Sequence, residues 1–133
     1  MCIRDSRWDV DGALDWVQTT GSVGAIDRWD EIVIDETGRT FISGGFAGQM
    51  PLGETLESTG GMDALLVEID EDGEPLWSHQ VCKSTADDMA PDLAINGQGQ
   101  LVLGGWFKGT ADFGEGPVEA VGDTAGYVMR RLK

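Results

Sequence analysis

The chain has 133 residues, 24 of them acidic against 9 basic, for a net charge of −15. No cluster of lysine and arginine stands out to neutralise phosphates, which argues against nucleic acid and anionic membrane surfaces as partners. No apolar run has the length of a membrane span.

In chain order, Met1-Cys2-Ile3-Arg4-Asp5-Ser6 comes first and stands apart from the rest of the chain. The pattern Asp/Asn-x-x-Gly then recurs at Asp9–Gly12, Asp35–Gly38, Asp70–Gly73 and Asn96–Gly99, at intervals of 26, 35 and 26 residues. Two intervals make a unit of 61, and a shift of that size overlays the chain on itself without a gap from Asp9 to Gly53. Trp16 falls on Trp77, Asp27 on Asp88, Gly44 on Gly105 and Phe46 on Phe107. A one-residue insertion later brings Leu65-Leu66 onto Tyr127-Val128. Such self-similarity marks a repeat architecture. Each Asp/Asn-x-x-Gly site reads as a tight hairpin, the acid bonding its own backbone and the glycine taking positive φ.

Between the turns, residues 31–35, 40–43, 63–69 and 75–81 read as the four strands of one unit, rich in β-branched and aromatic types. No helical period of useful length is present. Strand direction alternates within a unit, so the four short turns belong at one end of the strands. The longer connections, residues 21–30, 46–61, 82–91 and 107–122, belong at the other. Function concentrates in longer loops on a rigid scaffold, which makes Asp27, Asp88 and Asp112 candidate ligand-binding residues for a cation or polar group. The competing role for Asp27 and Asp88 is to bond backbone amides at the turn.

Four strands per repeat, none able to bury its own face, describe a propeller blade. Phe107-Lys108-Gly109-Thr110-Ala111-Asp112-Phe113-Gly114 resembles the F-x-G-x-x-D-F-G stretch of SBBP-type bacterial β-propeller repeats. Asp63-Ala64-Leu65-Leu66-Val67 is similar to that family's D-A-F-V strand, and Ile69–Ser78 to its L-D-x-x-G-x-x-L-W-S hairpin. Asp87-Asp88 matches its paired acids between blades. The chain departs from the pattern at Pro51-Leu52-Gly53, in place of D-F-G, and at Cys82-Lys83, where Phe-Gly-Gly is usual. The resemblance implies a seven-bladed propeller from an exported bacterial protein, extracellular or at the cell surface, and carries over no catalytic residues and no cofactor.

The expected fold is therefore all-β, a partial β-propeller of about two four-stranded antiparallel blades. Residues 1–6 resemble the translated end of a sequencing adapter and are expected to be an artefact, packing poorly or pairing only as an improvised edge strand. Residues 7–28 are expected to supply the last two strands of one blade, 29–82 a complete blade, and 83–133 the first three strands of the next, in a slice of a longer gene. The expected role is a binding or structural module facing protein or glycan, with further blades of the same chain as neighbours. The alternative is part of a propeller enzyme, of quinoprotein or polysaccharide-lyase type, whose active site lies outside this segment.

Other motifs reduce to structure. Glu68-x-Asp70-x-Asp72-Gly73 has the spacing of a calcium loop, but its twelfth position is His79 rather than a bidentate Glu, so no metal is expected there. The hairpin from Asp70 to Trp77 is similar to the tryptophan-docking hairpin of quinoprotein blades, itself a structural element. Trp16 and Trp77 read as core aromatics. Asp112-Phe113-Gly114 lacks the other parts of a kinase site and reads as a turn. His79 stands alone as a strand residue, and Cys82 reads as a small buried hydrophobe.

Overall fold

The computed structural model describes residues 3–131; the expectations for Met1, Cys2, Leu132 and Lys133 lie outside them. Among the described residues the chain is all-β, without a helix. In order the strands are β1 (Ile3–Trp8), β2 (Leu14–Thr20), β3 (Arg28–Ile34), β4 (Thr40–Phe46), β5 (Gln49–Leu52), β6 (Glu54–Glu57), β7 (Asp63–Ile69), β8 (Pro75–Gln80), β9 (Lys83–Ser84), β10 (Asp88–Ile95), β11 (Leu101–Phe107), β12 (Thr110–Asp112), β13 (Pro117–Glu119) and β14 (Ala125–Arg131). They form three main antiparallel sheets: β1-β2, β3-β4-β7-β8 and β10-β11-β14. Two small ones, β5-β6 and β13-β12-β9, accompany them, and the sheets stay open rather than closing into a barrel.

The second main sheet is the centre of the fold. Phe41, Ala64 and Leu66 point from one face into a cluster with Leu93, Leu101, Leu103 and Phe107 of the third sheet. Ile42, Leu65, Val67 and Ile69 point from the other into a cluster with Met50 and Leu52, edged by Trp16 and Trp29. Every residue of β7 is buried. This is why Ala64–Val67 reads as an unbroken apolar run rather than an alternation: both faces are covered. Each large side chain so buried contributes about 1.5–3 kcal/mol.

All four Asp/Asn-x-x-Gly turns form alike. The Gly12, Gly38, Gly73 and Gly99 amides donate to the carbonyls of Asp9, Asp35, Asp70 and Asn96 at 2.8–3.2 Å. In each, the first residue's Oδ1 accepts the amides two and four residues on. Each of the four glycines takes a φ between 74° and 86°, a conformation that penalises any side chain.

The repeat extends to irregularities. The β3–β4 ladder slips between Trp29 and Glu31, and the β10–β11 ladder slips between Met89 and Asp92. At these bulges a carbonyl presses on the facing strand. A Cβ on Gly44 would lie 2.1 Å from the Arg28 oxygen, and one on Gly105 would lie 2.0 Å from the Met89 oxygen. Arg28 and Met89 are one repeat apart, as are the two glycines. The matched glycines are thus required by a matched backbone approach.

The sheet β1-β2 reproduces the register of β7-β8. Arg7 faces Trp16 and Trp8 faces Leu14, as Glu68 faces Trp77 and Ile69 faces Pro75, with the slip at the same step. Residues 3–6 pair with β2 in that register, although their sequence does not follow the repeat.

The long connections depart from their expected form. Residues 46–61 contain the β5-β6 hairpin, and residues 107–122 contain β12-β13. The first folds back along the strands instead of standing clear of them. Thr20 Oγ1 donates to the Pro51 carbonyl at 2.9 Å, and Ser78 Oγ to the Leu52 carbonyl at 3.1 Å. The reason is the alternation of Met50 and Leu52, both buried, with exposed Gln49 and Pro51: a half-apolar hairpin needs cover. Phe113 does comparable work in the other copy, lying edge-on to Phe107 at 5.4 Å.

Gly44→Ala and Gly105→Ala are each expected to lower stability by about 2–3 kcal/mol, because the new methyl meets backbone that must shift. Gly97→Ala, with nothing within 4 Å of the added Cβ, is expected to stay near neutral. Urea unfolding of the three variants checks the contrast.

Candidate functional site

The candidate residues Asp27, Asp88 and Asp112 occupy three different settings. Asp27 is 1% exposed and closes its own loop. Its Oδ2 accepts the Ser22 amide at 2.7 Å and its Oδ1 accepts the Ser22 hydroxyl at 2.6 Å. A longer contact of 3.4 Å brings in the Ala47 amide. Asp112 is exposed, and its Oδ1 accepts the Gly114 amide at 2.7 Å and the Gly116 amide at 3.2 Å. That is the acid-led turn of the four hairpins used a fifth time, and it explains the Asp-Phe-Gly spacing.

Asp88 is different. It is fully buried where β10 meets the second sheet. Its Oδ1 accepts the Ala64 amide at 2.6 Å, and its own amide donates to the Met62 carbonyl at 2.7 Å. The side chain thus ties the third sheet to the second through a backbone group that β7 cannot satisfy alone. Among the described residues its Oδ2 is buried without a hydrogen-bond partner.

Close by lies a residue the sequence did not single out. Asp63, also fully buried, begins β7. Its Oδ2 accepts the Thr59 amide at 2.9 Å, the Thr59 hydroxyl at 3.0 Å and the Gln80 side-chain amide. Among the described residues its Oδ1 is buried and unpartnered as well. Its sequence signal was a charge heading the apolar run Ala64–Val67. That placement demands a partner or a proton.

The electrostatics follow from burial. Loss of solvation pushes the Asp88 carboxyl up from 3.8 to about 6; the Asp63 charge adds to this, and the Ala64 amide opposes it. Asp63 is raised too, chiefly by burial, with Thr59, Gln80 and the positive Lys83 pulling back. Cys82, free and fully buried, has its thiol pushed far above its ordinary range by burial and then by Asp88. It is therefore a core side chain rather than a nucleophile. Burial also raises Tyr127, whose hydroxyl donates to the Met89 carbonyl at 3.0 Å. His79 lines a recess of about 240 Å³ with Lys83, Asp112 and Phe113. Burial first, and then the positive charges of Arg131 and Lys83, lower its pKa.

Among the described residues no three His, Cys, Asp or Glu side chains gather where an ion could be held.

Comparison with known proteins finds no family model that matches the chain, and no curated protein that matches it.

Both carboxyls are raised in the folded state, so their stabilising contribution is complete below the unfolded value near 4. It fades as pH rises through the folded value of Asp88, about 6. Asp88→Asn keeps an acceptor for the Ala64 amide and removes the charge. Melting curves at pH 4.5 and 7.5 are expected to show a smaller pH dependence for Asp88→Asn than for the wild type. The difference is expected to be on the order of 2 kcal/mol.

Proposed function

We propose that the three main sheets are successive blades of a β-propeller of the SBBP type, in an exported bacterial protein that serves as a binding or structural module. The observation that carries this reading is the doubling of one sheet. The ladders β3-β4-β7 and β10-β11-β14 share strand order, register and bulge one repeat apart. A tryptophan joins one sheet to the next in the manner expected of blades. Trp16 Nε1 donates to the Glu71 carbonyl at 2.8 Å, and its ring lies where a Cβ on Gly73 would come within 2.7 Å. One repeat later Trp77 receives the Arg131 guanidinium over its ring at 5.0 Å.

A binding role rather than chemistry suits the side chains. Asp27, Asp88 and Asp112 all spend carboxylate oxygens on backbone amides, and Cys82 is held as an inert thiol. What remains free is charge. Glu54 and Glu57 on β6, Glu115 and Glu119 around β13, and Asp123 beyond it are all exposed. With a net charge of −15, the surface complements a cationic partner, a basic protein segment or an amino-sugar glycan at the cell surface. Among the described residues no helix is long and apolar enough to cross a membrane.

Calorimetric titration with an oligolysine peptide and with chitosan oligosaccharide, at low and high salt, tests the proposal. At least one cationic ligand is expected to bind at low salt and to weaken as salt rises, while a heparin oligosaccharide does not bind. Binding of heparin, or no binding of either cationic ligand, would contradict it.

A further inference from the structure

Three of the four Asp/Asn-x-x-Gly hairpins open on an acid. The fourth opens on Asn96, the one asparagine in the chain, and Gly97 follows it. An asparagine side-chain amide is open to attack by the backbone nitrogen of the next residue. Glycine in that place obstructs the attack least, because it carries no side chain.

The turn leaves both reacting groups ready. Among the described residues the Gly97 amide has no hydrogen-bond partner. Gly97 is exposed, with nothing within 4 Å of the place a Cβ would take, so base in solution reaches its proton. Asn96 Oδ1 accepts the amides of Gln98 and Gln100, each at 3.0 Å. Two donors on that oxygen favour the negative charge it gains when Cγ is attacked. Asp11-Gly12, Asp72-Gly73 and Gln98-Gly99 also place glycine after an acid or amide. There the glycine amides are already engaged, donating to the carbonyls of Asp9, Asp70 and Asn96.

We propose that Asn96 is a site of spontaneous deamidation, and that the hairpin steers the product to aspartate. Hydroxide takes the Gly97 amide proton, and the nitrogen attacks Asn96 Cγ. The Cγ–Nδ2 bond breaks, Nδ2 leaves as ammonia with a proton from water, and a succinimide ring remains. Water then opens the ring. Addition at Cγ gives aspartate in an unaltered chain. Addition at the Asn96 carbonyl carbon gives isoaspartate, in which the chain runs on through Cγ.

The fold separates these products. Asp9, Asp35 and Asp70 already make, as acids, the two bonds that Asn96 Oδ1 makes. Aspartate at 96 gives up the Nδ2 bond to Gln100 Oε1 and keeps the hairpin. Isoaspartate adds a backbone atom inside the turn. It displaces the paired bonds from Asn96 N to the Gln100 carbonyl and from Gly99 N to the Asn96 carbonyl, 3.0 and 2.8 Å long. Isoaspartate returns to the ring, so aspartate accumulates. Its new charge lines a recess of about 570 Å³ with Asp35, Glu36, Thr37 and Arg39. The inference depends on neither the blade reading nor the cationic ligand.

Folded protein held at pH 8.5 tests it, followed by anion exchange and by peptide fragmentation that tells aspartate from isoaspartate. One later-eluting species is expected to grow, carrying mainly aspartate at 96 and coeluting with Asn96→Asp. The chain held at the same pH in guanidinium chloride should give mainly isoaspartate. Gly97→Ala, whose added methyl meets nothing in the folded structure, should form the species roughly tenfold more slowly, because the methyl hinders the nitrogen. A folded protein that keeps its amide, a folded product that is mainly isoaspartate, or a Gly97→Ala rate equal to that of the wild type would overturn the inference.

Discussion

Burial of the second sheet on both faces is the constraint on which the rest of the structure depends. Every residue of β7 is buried, so the sheet is stable only while a neighbour lies on each side. On one side the neighbour is the third sheet, through Leu93, Leu101 and Leu103. On the other it is the returning β5-β6 hairpin, through Met50 and Leu52, with Trp16 at the edge. The fold behaves as a stack in which each layer is core for the next.

Close stacking creates its own polar problem. Where strands end between layers, backbone amides lose water before they gain a partner. Acidic side chains supply the acceptors: Asp27 for Ser22, Asp88 for Ala64, Asp63 for Thr59. The cost appears in the same place. Among the described residues Asp63 and Asp88 each keep one buried oxygen unpaired, and burial raises both carboxyls, which makes the junction between the second and third sheets sensitive to protons. The closest approaches of backbone to backbone, at Gly44 and Gly105, admit no side chain at all. Glycine and aspartate recur along the chain for these two physical reasons, and neither requires a ligand.

Much of this was legible in the residues. The four turns followed from Asp/Asn-x-x-Gly, and β7 from its apolar run, whose bounds at Asp63 and Ile69 match the strand. The small hairpins were not legible. Met50-Pro51-Leu52 is too short an alternation to stand out, and proline at its centre argues against a strand unless it lies at an edge, which is where β5 runs. For the candidate site, the 61-residue match brought out Asp27 and Asp88 but implied one shared role. The structure gives them different partners, because Ser22 serves Asp27 locally while Asp88 reaches into another sheet. Asp63 escaped notice because a strand-opening acid is ordinarily solvated; only the layer stacked above it makes it dry. Residues 3–6 show the converse. Their sequence does not follow the repeat, yet β2 imposes the repeat's register on them.

The central claim is that the second sheet is held between its neighbours as the common core of a stack. Native-state hydrogen exchange measures this residue by residue. The account predicts that the amides of β4 and β7 exchange slowest, and that those of β10 and β11 open with them in one cooperative step. Strand β14, with a free edge, should exchange faster. Amides of β7 exchanging as fast as those of β14, or opening independently of β10 and β11, would contradict the account.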